Sequence, residues 1–141
     1  MSTIQFIHSG WAYVVLVVLV LATCNALIKF FGDKEFDPKD FRISLFTLIA
    51  MHLQLLIGII LWFSQGYFDE MTVGEVMKNS AIRKLAVEHP TTMIIAVALV
   101  TIGYSKHKKK LVSKPKFKVL SIFYSIALIL VLTMIPWNQW F

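Results

Sequence analysis

This sequence predicts an all-α integral membrane protein, a four-helix bundle with both termini on the outer side. Three observations lead there. Four apolar stretches, at about 10–31, 43–63, 85–104 and 119–135, each approach the roughly 20 residues needed to cross a bilayer. The composition is 57% hydrophobic and 13% aromatic, with a mean hydropathy of +0.71, far from the balance of a soluble domain. The basic residues gather in two of the three connections. With 141 residues in all, these spans and connections fill a single domain, 1–141, and leave no room for a separate soluble one.

The first span, GWAYVVLVVLVLATCNALIKFF, follows a start without basic residues. A cleavable signal would want a charged start and a shorter apolar run, so this span reads as a retained helix. After Gly32 the chain restarts at Asp37-Pro38, an N-cap followed by proline at the first helical position, with Asp40 favourable in the first turn. The second span ends at Ser64-Gln65-Gly66-Tyr67, a turn-forming aromatic boundary. In the longest connection, Thr72 to Glu75 has the form of a capping box, predicting a short interfacial helix that carries Val76, Met77, Ala81 and Leu85. Pro90 stands in the first turn of the third span or at a kink, so His89 occupies a discontinuity in the helix. The fourth span closes on Pro136-Trp137, and Trp137 with Trp140 forms an interfacial anchor. Cys24, the single cysteine, lies inside the first span and packs as a small apolar residue.

Orientation follows from the connections. Lys34, Lys39 and Arg42 join spans one and two, and Lys106, Lys108, Lys109, Lys110, Lys114, Lys116 and Lys118 join three and four. Both loops are expected in the cytoplasm. The middle loop balances Lys78, Arg83 and Lys84 against Asp69, Glu70, Glu75 and Glu88, and neither end carries a basic residue. Both termini are then expected in the periplasm, and the chain in a bacterial inner membrane. The net charge of +6 therefore reports topology, and nucleic-acid binding is not expected.

Ionisable side chains inside a membrane need a task. His8, His52 and His89 lie on or just outside the spans. At about 1.5 Å per residue, His52 falls roughly 13 Å from the cytoplasmic face and His89 roughly 23 Å up, with His8 at or above the outer surface. Tilt and a kink at Pro90 allow His89 to pair with His8 or His52, whereas His8 and His52 are too far apart in depth. The working expectation is bis-histidine ligation by His89 and one other. Small residues follow the candidates along one face, Thr92, Ala96 and Gly103 after His89 and Ala12, Ala22 and Ala26 after His8, leaving room for a flat macrocycle. The same spacing also serves helix packing without any cofactor.

His52 and Gln54 are separated by about 200° around their helix and face different neighbours. Gln54 shares a face with Thr47, Met51 and Gly58, a packing seam in which its amide acts as a structural hydrogen-bonding group. Asn25, Thr101, Tyr124 and Ser125 are at a depth to satisfy His52 without a metal. Glu88 is placed to orient His89 or to exchange protons with a quinol. His107, inside Lys106 to Lys110, reads as a solvated residue of a topology-setting loop, and no ligand role is assigned to it. Phosphate-binding glycine loops, CxxCH, HExxH and a nucleophile elbow are all absent from the sequence.

The sequence resembles small four-helix bacterial membrane proteins described as cytochrome b-like. The resemblance rests on His8-Ser9 followed by Trp11, Met51-His52-Leu53-Gln54 with Gly58 after it, Glu88-His89-Pro90, Gly103-Tyr104-Ser105-Lys106 and Ile135-Pro136-Trp137. The His-x-Gln element is also similar to the halves of haem A synthase. The resemblance implies non-covalent haem b, with His8, His52 and His89 as the matching positions and two of them on the iron. Electron transfer within or at the outer face of the membrane is the expected function, with membrane lipids, a quinol, another redox protein or other membrane subunits as partners. The competing expectations are a cofactor-free scaffold or accessory subunit held together by the same polar residues, and metal or proton transport through His52.

Overall fold

The structure is a computed structural model and describes residues 2–140. Those residues form helices and contain no strand: α1 (Thr3–Phe31), α2 (Pro38–Gln65), α3 (Val73–Lys78), α4 (Ser80–Arg83), a π turn (Lys84–Glu88), α5 (His89–Lys109), α6 (Ser113–Met134) and α7 (Trp137–Trp140). Four helical segments, Thr3–Phe31, Pro38–Gln65, Ser80–Lys109 and Ser113–Met134, are long and apolar enough to cross a membrane.

Local chemistry explains the boundaries. The Ser2 hydroxyl accepts from the Gln5 N–H at 3.1 Å, so α1 begins at Thr3 rather than at Gly10 and carries His8 inside its second turn. Asp37 caps α2 with Pro38 at the first position, as the sequence predicts, and Asp40 goes further by closing a reciprocal capping box with Asp37. Gly66 ends that helix at φ 59°, in the left-handed region; a Cβ there would lie 2.3 Å from Asp69 Oδ2. Thr72 caps α3 through the Glu75 N–H at 3.1 Å, again as predicted.

The discontinuity before His89 is a π turn, and Pro90 contributes to it. Proline has no N–H to give to the Ala86 carbonyl, its partner in a regular α-helix. The Trp62 indole N–H reaches across from α2 and donates to that carbonyl at 2.8 Å. The His89 N–H meanwhile bonds back to Lys84 O, closing the wider π ring.

The long helices close a ring in the order α1, α2, α5, α6, with α6 packed again on α1. Leucine, isoleucine and valine cover the outside: Val17, Leu21, Ile49, Leu56, Ile95 and Ile129 are all exposed. In water such a surface would aggregate, whereas hydrocarbon is its matching solvent. Inside, the small residues Ala22, Ala26, Ala50, Ala96 and Ala127 are buried and let the helices approach. At Gly103 the approach is close enough that an added Cβ would come within 2.5 Å of Phe123 Cβ on α6.

Polar ties concentrate at the lysine-rich end. The buried Asp40 carboxylate accepts from Lys29 Nζ at 2.7 Å and Asn25 Nδ2 at 2.8 Å. Tyr124 donates its hydroxyl proton to Ser44 O at 3.0 Å, and Thr47 reaches Val18 O at 3.2 Å. Here one sequence expectation is corrected. His107 is not solvated but fully buried, because α5 runs on to Lys109 and its packed stripe, Ala96, Val100, Gly103, Tyr104 and His107, continues at helical spacing. Its ring packs among Phe36, Phe41 and Tyr104, and Nδ1 hydrogen-bonds Tyr104 O.

Candidate functional site

At the opposite end of the bundle, where the first turns of α1 meet the last turns of α2 and α6 and the start of α5, a cavity of about 690 Å³ opens between the helices. This lies within the roughly 300–1,000 Å³ typical of cofactor and small-molecule sites. Its wall includes His8, Gln54, Gly58, Trp62, His89 and Trp140. On the cavity wall the Trp140 indole donates to Ser9 O at 3.2 Å, and away from the cavity Trp11 ties α1 to α2 by donating to Ala50 O at 2.9 Å. Tyr67, just beyond α2, also lines the cavity, and burial pushes its phenol above the ordinary range, so it stays protonated.

Two of the three histidine candidates meet here. The His8 and His89 rings lie 6.2 Å apart between centroids, with their planes at 87°. The early start of α1 and the π turn before α5 bring them to a common depth. His89 Nδ1 lies 2.8 Å from the Met134 carbonyl, which is left without a helical donor where α6 ends before Pro136. A carbonyl can only accept, so Nδ1 carries the proton and Nε2 keeps its lone pair. Glu88, expected beside this imidazole, instead pairs with Arg83 at 3.0 Å.

His8 is placed by α2. Gln54 Nε2 donates to the His8 carbonyl at 2.8 Å. One turn on, a Cβ at Gly58 would come within 3.1 Å of His8 Cε1, so any side chain there would press on the ring in this position. His8 Nδ1 and Gln54 Oε1 are both buried without a hydrogen-bond partner among the described residues. An unpaired donor or acceptor in an apolar interior is costly; Thr23, His107, Ser121 and Ser125 carry such atoms elsewhere in the bundle, and His8 and Gln54 are the two whose residues line the cavity.

His52 is held elsewhere. It stands on the other face of α2, away from the cavity, with Nδ1 2.8 Å from Leu48 O and Nε2 3.4 Å from Thr101 Oγ1. This is one of the metal-free partners anticipated for it. The sequence presents Gln54 as a packing group and does not mark Trp62 as part of a site. The signal for Gln54 was its shared face with Gly58; that for Trp62 was Pro90, whose missing N–H calls for a donor from another helix.

Among the described residues, no group of three or more His, Cys, Asp and Glu side chains is placed to hold a metal ion. The donor set at the cavity is a pair of imidazoles. Structural zinc takes four protein ligands and catalytic zinc three, whereas haem iron needs only axial ones. No family model, curated protein or solved structure matches this chain.

Proposed function

We propose that this chain is a b-type haem protein of the membrane, in which His8 and His89 would hold the iron and His52 would not. The observation that carries the reading is the meeting of these two rings in one cavity, 6.2 Å apart between centroids. Two imidazoles bonded to one metal at roughly 2 Å each hold their centroids about 6 Å apart. The proton on His89 Nδ1 supports it further, since a ligating histidine characteristically donates its other N–H to a carbonyl or carboxylate. The cavity volume and its largely apolar walls suit a bulky apolar group beside His8.

Haem b bound there supplies one-electron redox chemistry. The residues of this chain supply the rest. Met134 O fixes the His89 tautomer, Gln54 and Gly58 set His8, and the apolar walls exclude water from the iron's surroundings. Electrons would pass to or from a quinol or a redox protein at the membrane. With the lysine-rich loops in the cytoplasm, the site lies near the outer face of a bacterial inner membrane.

The optical spectrum of detergent-purified, haem-supplied protein tests this. A Soret band with reducible α and β bands is expected in the wild type and in His52→Ala, and its loss or marked weakening in His8→Ala and His89→Ala. A colourless wild type overturns the reading and leaves a scaffold built on the same polar ties.

A further inference from the structure

We propose that a second, polar cleft beside this cavity, with Lys84 as its cation, receives the propionate carboxylates of the tetrapyrrole. The assignment rests on haem occupying the His8–His89 cavity. The cleft has a volume of about 440 Å³ and lies between α4, the π turn and the segment from Pro136 to Gln139. It shares Leu85, Pro136 and Gln139 with the wall of the larger cavity, so the two spaces adjoin.

Their chemistry differs. The larger cavity is walled mainly by apolar and aromatic side chains, whereas the cleft presents Ser80, Arg83, Lys84, Glu88, Asn138 and Gln139. Haem b is a flat apolar disc with two carboxylates on one edge. A site for it inside a bilayer needs apolar walls around the disc and a polar outlet on one side, because an unpaired carboxylate in hydrocarbon is strongly disfavoured.

The charges in the cleft do not cancel. Arg83 is committed, with Nε donating to Glu88 Oε2 at 3.0 Å and Nη1 to Met77 O at 2.8 Å. That pair is neutral as a unit. Lys84 is half-buried and its ammonium makes no hydrogen bond or ion pair among the described residues, which leaves the cleft with one uncompensated positive charge. Lys84 is also tied to the ligand itself: its carbonyl accepts the backbone N–H of His89, so cation and imidazole belong to one hydrogen-bonded π turn. Lys84 would pair with one propionate through its ammonium, and Asn138, in the same cleft, would offer its amide to the other.

The test titrates full-length apo-protein with haem b and with its dimethyl ester, following the Soret band in wild type, Lys84→Gln and Lys84→Arg. Lys84→Gln is expected to weaken haem binding about tenfold, the worth of one charge-assisted hydrogen bond. Lys84→Arg should stay close to wild type. The ester should bind wild type about as weakly as haem binds Lys84→Gln, and the substitution should cost the ester nothing more. The midpoint potential of Lys84→Gln should fall, because a positive charge near the iron favours the reduced state. Equal haem affinity in wild type and Lys84→Gln, or an equal loss for haem and ester, overturns the proposal while leaving the ligand assignment standing. A wild type with no Soret band removes both.

Discussion

The His8 imidazole owes its place to a residue with no side chain. Gly58 lies against it so closely that a methyl group would reach 3.1 Å from Cε1, and larger groups would push the ring off its present position. Gly58→Leu is therefore expected to raise the haem dissociation constant by about tenfold or more, the scale of overpacking a tight contact; unchanged helicity by circular dichroism with a weakened Soret titration is the expected pair of results. Gln54→Leu removes the bond to the His8 carbonyl and should cost about 1 kcal/mol of stability, read as a lower thermal midpoint in detergent. The sequence marks Gln54 and Gly58 as sharing one face, and it names His8 and His89. It does not show that His52 turns to Leu48 O and Thr101, because that choice depends on which neighbour each face of α2 meets. The error at His107 has a similar cause. A histidine among lysines looks solvated until the helix is seen to continue to Lys109, when the 3.6-residue period carries position 107 inward and the lysines outward.

Helix boundaries were largely readable where they depend on neighbours in the chain. The Asp37 and Thr72 caps and the break at Pro90 are written in side chains three or four residues apart. The π turn was not readable, since its shape joins a local defect to a remote remedy: Pro90 leaves the Ala86 carbonyl without a donor, and Trp62 of another helix supplies one. Trp62→Phe keeps the ring and removes the N–H. It should lower stability by about 1–3 kcal/mol, the range for an orphaned buried acceptor, and should broaden or shift the Soret band by loosening His89. A thermal melt in micelles equal to that of wild type would show that the Ala86 carbonyl finds another donor.

The two ends of the bundle are chemically opposite. The lysines of the first and third connections and the Asp40 cluster occupy one, while tryptophans, the cavity with Lys84 beside it and both described ends of the chain occupy the other. In the orientation proposed from the basic loops, a cysteine at Gln139→Cys should react in intact cells with a membrane-impermeant maleimide, and one at Lys109→Cys should not, in a Cys24→Ser background. The reverse pattern would invert the topology and move the cavity to the cytoplasmic face. Four apolar segments and their connections were decided by composition alone, because a bilayer demands length and hydropathy, which add up along the chain without reference to any fold. Which histidines meet, and what each ring nitrogen bonds, was decided by packing: the depth of α1, the π turn before α5 and the clearance at Gly58 bring together residues whose separation in the chain carries no information about their distance in space.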